Sequence, residues 1–251
     1  MRLSFLVFGV GAGVSAGFGG EVVIVGGMAT IAFGFLGVLA SQGLGRMAAH
    51  LVLVSSGTVL AAVGFVLSGG GAQILAAALF YLLSSTLATS ALFLLIEPMS
   101  REDGGIAALL ALTADAYGLD EMEEDRQPEV GLAIPGTLTV LGLSFGACVL
   151  VLAGLPPLSG FIGKLGILQG LLAEEPAQPG LSWAFLALLI LSGFATLVGL
   201  VRVGIQTVWA GESEPPRVLA LEIAPVIALV GLLLFLTVKA DVTLGYMRDT
   251  A

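Results

Sequence analysis

The stretch Ala153-Gly154-Leu155-Pro156-Pro157-Leu158-Ser159-Gly160-Phe161-Ile162-Gly163-Lys164 sets a proline pair and a lysine in otherwise apolar sequence. The uncharged run that leads up to this lysine extends from Val130 to Gly163. That is longer than the roughly 20 helical residues needed to cross about 30 Å of hydrocarbon. Pro156 and Pro157 have no N–H, so carbonyls in the turn before them lose their helical donors. Freed backbone at membrane depth is tolerated where it is buried in protein or lines a hydrated cavity. If Leu155 to Ala173 is taken as a span, Lys164 is its midpoint, with nine residues on either side. About 13 Å of helix then separates it from each end. A lysine stem covers only part of that distance, and a charge held there costs roughly 2.5–3.5 kcal/mol on insertion scales. Such a lysine faces a bundle interior or a hydrated pathway, where it can load and release a proton. The plainer role is a lysine paired with one carboxylate to lock two helices. Broken helices with polar centres recur in ion transporters.

Outward from this stretch the chain is a series of apolar runs. Val22 to Ser41 is uncharged, and so is Met47 to Ile96, which holds two spans divided at Ser68-Gly69-Gly70-Gly71. Leu181 to Val201 is another, and Val218 to Val238 another with Glu222 near its start. A shorter stretch, Leu3 to Gly17, opens the chain. The runs are continuously apolar rather than alternating, which favours helices over barrel strands. The reading is an all-α, polytopic transmembrane helix bundle of seven or eight hydrophobic segments. Transmembrane helices occupy 1–97, and an extramembrane loop 98–130. Further transmembrane helices occupy 131–239, with a broken helix at 153–173, and 240–251 form a C-terminal tail.

Composition agrees. The 251 residues are 57% hydrophobic and 11% charged, against about 25% charged in ordinary soluble domains. This excludes a water-soluble globular enzyme and a disordered chain. Nine Lys and Arg against eighteen Asp and Glu exclude a nucleic-acid binder, which needs clustered positive charge. Cys148 is the single cysteine and His50 the single histidine. No disulfide within one chain and no Cys/His metal cluster can be built, and no cofactor is expected.

The long polar stretch is Ser100 to Glu129. Ile106, Leu109, Leu110 and Leu112 give Gly105 to Leu119 the spacing of an amphipathic surface helix. Asp120 to Glu129 is acidic, either a solvated loop or a funnel for cations. Ser84, Ser85, Thr86, Thr89 and Ser90 crowd one segment. They either organise water or bond carbonyls of their own helix. His50, followed by Ser55, Ser56 and Thr58, is either a proton shuttle or an interfacial residue. Glu97 and Glu222 read as boundary residues, Arg202 as a snorkelling one and Cys148 as packing. The candidate site is therefore Lys164 as proton relay and Pro156 and Pro157 as the helix break. His50, Ser55, Ser84, Ser85 and Thr86 complete a candidate path; no cation-binding residues stand out. Met1-Arg2, an apolar run and Val14-Ser15-Ala16 fit a signal peptide or a membrane helix whose beginning lies outside the chain. A charge count puts Arg2, Arg46, Arg101, Arg126 and Arg248 on one side of the membrane, with Arg217 and Arg202 opposite.

The Pro-Pro stretch ending at Lys164 resembles the second broken helix of antiporter-like, proton-conducting membrane subunits. These occur in respiratory complex I and in Mrp-type cation/proton antiporters. Val38-Leu39-Ala40-Ser41-Gln42, Val54-Ser55-Ser56-Gly57-Thr58, Tyr81 to Ala88 and Glu222-Ile223-Ala224-Pro225 are similar to the D subunits of Mrp/Pha-type antiporters. The resemblance implies a fourteen-helix fold with two inverted five-helix repeats, of which this chain matches the second half. Met1-Arg2-Leu3 then falls inside the seventh helix. It also implies Na⁺ or K⁺ exchange for protons, other membrane subunits as partners, and a multi-pass place in the bacterial inner membrane. The lysine of the motif belongs to the proton path, and the acidic loop and the C-terminus lie outside the cytoplasm. Two departures stand out. Ser and Thr occupy the helix where complex I subunits carry Lys or His, and Gly45-Arg46 stands where a Lys-Arg pair is expected. The alternatives are a proton-pumping subunit of NADH-quinone oxidoreductase and an inactive scaffold fragment.

Overall fold

The computed structural model describes residues 19–100, 135–173, 179–206 and 220–250. The opening run, the amphipathic and acidic segments of 101–134 and the side chain of Glu222 lie outside the described residues. Eight helices are described: α1 (Gly20–Ala40), α2 (Leu44–Leu67), α3 (Ala72–Ser100), α4 (Pro135–Ala153), α5 (Ser159–Ala173), α6 (Pro179–Gly204), α7 (Ala220–Val238) and α8 (Ala240–Thr250). Among them, α1, α2, α3 and α6 are each long and apolar enough to cross a membrane, and α7 with α8 makes a pair bent by 75°. α3 continues through Pro98 to Ser100, past the boundary read at 97, and residues 240–250 of the C-terminal tail are helical.

Glycines set how closely the helices approach. α1 buries one stripe, Gly20, Ile24, Gly27, Ile31, Gly34 and Val38, while Val22, Phe33 and Leu36 stay exposed. A Cβ at Gly27 would stand 2.5 Å from the Ala61 nitrogen, and one at Gly57 would stand 2.8 Å from the Gly27 carbonyl oxygen. Small residues at seven-residue spacing let the two backbones touch, as membrane helices need when no hydrophobic force draws them together. On α5, Gly163, Gly166 and Gly170 face Tyr81, Ala77 and Ile74 of α3 in turn, so those helices are antiparallel.

Contacts order the levels of the bundle. Gly204 lies on Phe145 and Gly193 on the Ala153 carbonyl, so α4 runs antiparallel to α6 and stops near its middle. α5 then carries the chain on to the level of Ile74. Together α4 and α5 form one broken span over 135–173, interrupted at Gly154–Leu158. This corrects the broken helix expected at 153–173. Lys164 is not the midpoint of a continuous Leu155–Ala173 span; it sits in the second turn of the second half-helix. The Pro pair proves to be the central break.

α7 runs antiparallel to α3. Val226 and Leu233 share a core with Leu92, Leu95 and Met99, and Leu236 and Ala240 pack near Phe80. Ser100 and Pro135, which bracket 101–134, therefore stand at one face of the bundle, while α7 leads away from that face to α8. The acidic loop and the C-terminus are expected on one side; the two residues that bracket that loop and the end of α7 stand at opposite faces.

Candidate functional site: the helix break and Lys164

α4 ends in a left-handed glycine. Gly154 has φ +77°, and its N–H donates to Val151 at 3.1 Å while that of Leu155 donates to Leu150 at 2.9 Å. This pattern closes a helix C-terminus and satisfies two of its last carbonyls. The next two, on Leu152 and Ala153, would ordinarily accept from the N–H groups of residues 156 and 157, which are both proline. Lys164 supplies the missing donors. Its Nζ lies 3.0 Å from the Ala153 oxygen and 3.3 Å from the Leu152 oxygen. The C-terminal end of a helix carries partial negative charge, so an ammonium is the fitting cap.

The ammonium is buried, with 8% of the residue exposed. Among the described residues no carboxylate pairs with it. Nζ also lies over the Tyr81 ring, 5.9 Å from its centroid. Two glycines make the room. A Cβ at Gly154 would stand 2.6 Å from Lys164 Cδ, and one at Gly193 would stand 3.3 Å from Nζ and 2.6 Å from the Ala153 oxygen. A cavity of about 280 Å³ adjoins the lysine, walled by Leu155, Phe161, Leu189 and Phe194.

The first turn of α5 is held separately. Ser159 shares a 2.7 Å hydrogen bond with Ser84 of α3, and both hydroxyls are fully buried. The Ser159 N–H donates to Thr237 of α7 at 3.0 Å, and the Thr237 hydroxyl donates to the Leu233 carbonyl. A half-helix that starts at membrane depth thus has a partner for its first N–H.

Of the candidate residues, Lys164, Pro156, Pro157 and Ser84 come together at the break. Ser85 and Thr86 both donate to the Leu82 carbonyl, and Ser55 donates to Leu51 and Val52. His50 stands near the end of α1, its Nδ1 donating to the Arg46 carbonyl at 2.7 Å and its ring lying against Gly37 and Phe33. Arg202 does more than snorkel: it donates to the Leu39 and Ser41 carbonyls at 2.9 and 2.6 Å and caps α1. Cys148 is buried in packing. Tyr81, Ser159, Thr237 and the two glycines do not stand out in the sequence. Their importance lies in what they meet across helices, which spacing along one helix does not reveal.

An all-helical polytopic bundle with a lysine-capped break in one span places the chain among antiporter-like membrane subunits. It is 51% identical over 257 residues to the D subunit of the probable K(+)/H(+) antiporter of Rhizobium meliloti (strain 1021), covering 100% of this chain and 47% of that protein. It is 29% identical over 188 residues to the D subunit of the Na(+)/H(+) antiporter of Bacillus subtilis (strain 168), covering 75% of this chain and 32% of that one. NADH-quinone oxidoreductase subunit N 1 of Opitutus terrae is 32% identical over 146 residues, 57% of this chain and 24% of its own. A chain in the structure of the Mrp complex from Dietzia sp. DQ12-45-1b shares the fold, with TM-score 0.67 and 18% identity over 92% of this chain and 46% of that one. No family model matches. The chain belongs to the family of D subunits of Mrp/Pha-type antiporters and spans about half the length of the Rhizobium relative.

Proposed function

We propose that the chain is an ion-translocating part of a monovalent cation/proton antiporter, in which Lys164 relays protons. The observation that supports this most is the lysine cap. A buried ammonium is held by the two carbonyls that Pro156 and Pro157 deprive of helical donors. Nζ keeps two carbonyl partners while charged, and loss of the proton weakens both bonds, since charge-assisted bonds are the stronger kind. The charge state of Lys164 is thereby coupled to the end of α4, a coupling that a relay at a hinge requires. Ser84, through Ser159, stands at the same break and joins the proposed path. His50, Ser55, Ser85 and Thr86 would join it by turning away from the carbonyls they bond.

The relatives' names supply the transported class, K⁺ or Na⁺ against H⁺. The partners are the other membrane subunits of such an antiporter, within the lipid of a bacterial inner membrane. The role is transport rather than enzymatic turnover. A second reading, a proton-pumping subunit of a quinone oxidoreductase, is favoured by the Opitutus relative; co-purification with quinone-reductase subunits would select it. The test is cation-dependent proton flux in everted vesicles from a host lacking its own antiporters, with the chain assembled among its partner subunits. Lys164→Ala is expected to lower flux at least about tenfold, while an intramembrane lysine of purely structural use would leave the flux of the assembled complex unchanged.

A further inference from the structure

We infer that Tyr81 is a positioning residue for Lys164, holding the charged form in place through its ring face. The inference rests on the relay reading above and adds a residue that neither spacing nor the relatives' names assign. Two observations support it. First, Nζ lies over the ring, 5.9 Å from the centroid, while it also holds the Leu152 and Ala153 carbonyls. A cation within about 6 Å of an aromatic face is attracted by the ring quadrupole, and more strongly where water is excluded. Second, the ring is fixed. Tyr81 is 2% exposed, and Gly163 of α5 lies against its Cβ.

The ammonium is therefore held between the end of α4 and a buried ring that α3 carries and α5 packs against. The neutral amine gains nothing from the ring face. Tyr81 thus favours the loaded state of the relay without touching the transferred proton.

Other titratable groups on the packed elements stand far from Nζ. Glu97 is sixteen residues beyond Tyr81 on α3, about 24 Å of helix. Arg202 is nine residues beyond Gly193 on α6, about 13 Å, and is occupied at α1. Cys148 lies five residues before Ala153 on α4, packed in the core. Among the described side chains of α7, none is titratable.

The experiment measures the pH profile of cation-dependent proton flux for the assembled complex with Tyr81 replaced. Tyr81→Phe keeps the ring face and is expected to keep the profile. Tyr81→Leu removes it, so the ammonium is lost at lower pH and the alkaline limb moves down by about half to one pH unit. Should Tyr81→Leu fail to assemble, phenylalanines carrying one, two and three ring fluorines at position 81 keep the shape while weakening the ring quadrupole. The limb is then expected to move down stepwise with fluorine number. An unmoved limb in Tyr81→Leu, or no graded movement across the fluorinated series, overturns the inference. Lys164→Ala measured in parallel separates the two readings. Undiminished flux there removes the relay itself, whereas lost flux beside an unmoved limb removes only the role of Tyr81.

Discussion

In an unbroken helix the carbonyls of Leu152 and Ala153 would accept from residues 156 and 157, and both are proline. Each carbonyl left unpaired in a buried place would cost about 1–3 kcal/mol. Lys164 relieves both at once, and its own charge gains partners in return. This much follows from residue chemistry, since proline without a donor and a lysine a few residues on are visible in the sequence. That the lysine turns back to those same carbonyls is not visible there, because it depends on the reversal at Gly154 and on the room left by Gly193. Gly193→Ala tests that room. The added carbon would stand 2.6 Å from the Ala153 oxygen and 3.3 Å from Nζ, so the carbonyl and the ammonium cannot both stay. Flux is expected to fall roughly tenfold or more with assembly intact, in line with the cost of an ångström-scale misplacement. Wild-type flux would show that the pocket yields without consequence.

Among the elements, apolar runs of about 20 residues were enough to find α1, α2, α3 and α6. The half-helices were harder. α4 and α5 are each shorter than a span, and a continuous apolar stretch does not say which side of a proline pair holds the other half of the crossing. The hydroxyl cluster of α3 was likewise legible as a set but not as individuals. Ser84 points across to Ser159, while Ser85 and Thr86 turn to their own backbone. Only the positions of neighbouring helices decide between these. The glycine stripe of α1 belongs to this scale as well. Gly27→Val would drive a branched side chain into Ala61, and overpacking of this kind costs about 1–3 kcal/mol. Thermal unfolding in detergent is expected to show a lowered midpoint for Gly27→Val and an unchanged one for Gly26→Val, since a Cβ at Gly26 meets nothing within 4 Å.

For the whole molecule, composition identified the solvent as lipid, and the exposed Phe33, Phe194, Phe235 and Val238 bear that out. The sidedness of the loops was beyond a charge count, because one broken span miscounted as two reverses every later loop. The contacts of α3, α4, α6 and α7 fix those directions instead. They leave a bundle in which α5 is tied to α3 by three glycines and the Ser84–Ser159 bond, to α7 by Ser159 and Thr237, and to α4 by Gly160 against Val151 and by Lys164. The last tie is the one that a proton can make and unmake. The most direct measurement is cation-dependent proton flux through the assembled complex carrying Pro156→Ala together with Pro157→Ala. The restored N–H groups would draw the Leu152 and Ala153 carbonyls back into the helical ladder and take them from Lys164, so flux should fall to near the Lys164→Ala level. Flux equal to wild type would contradict the claim that the break exists to hold the lysine.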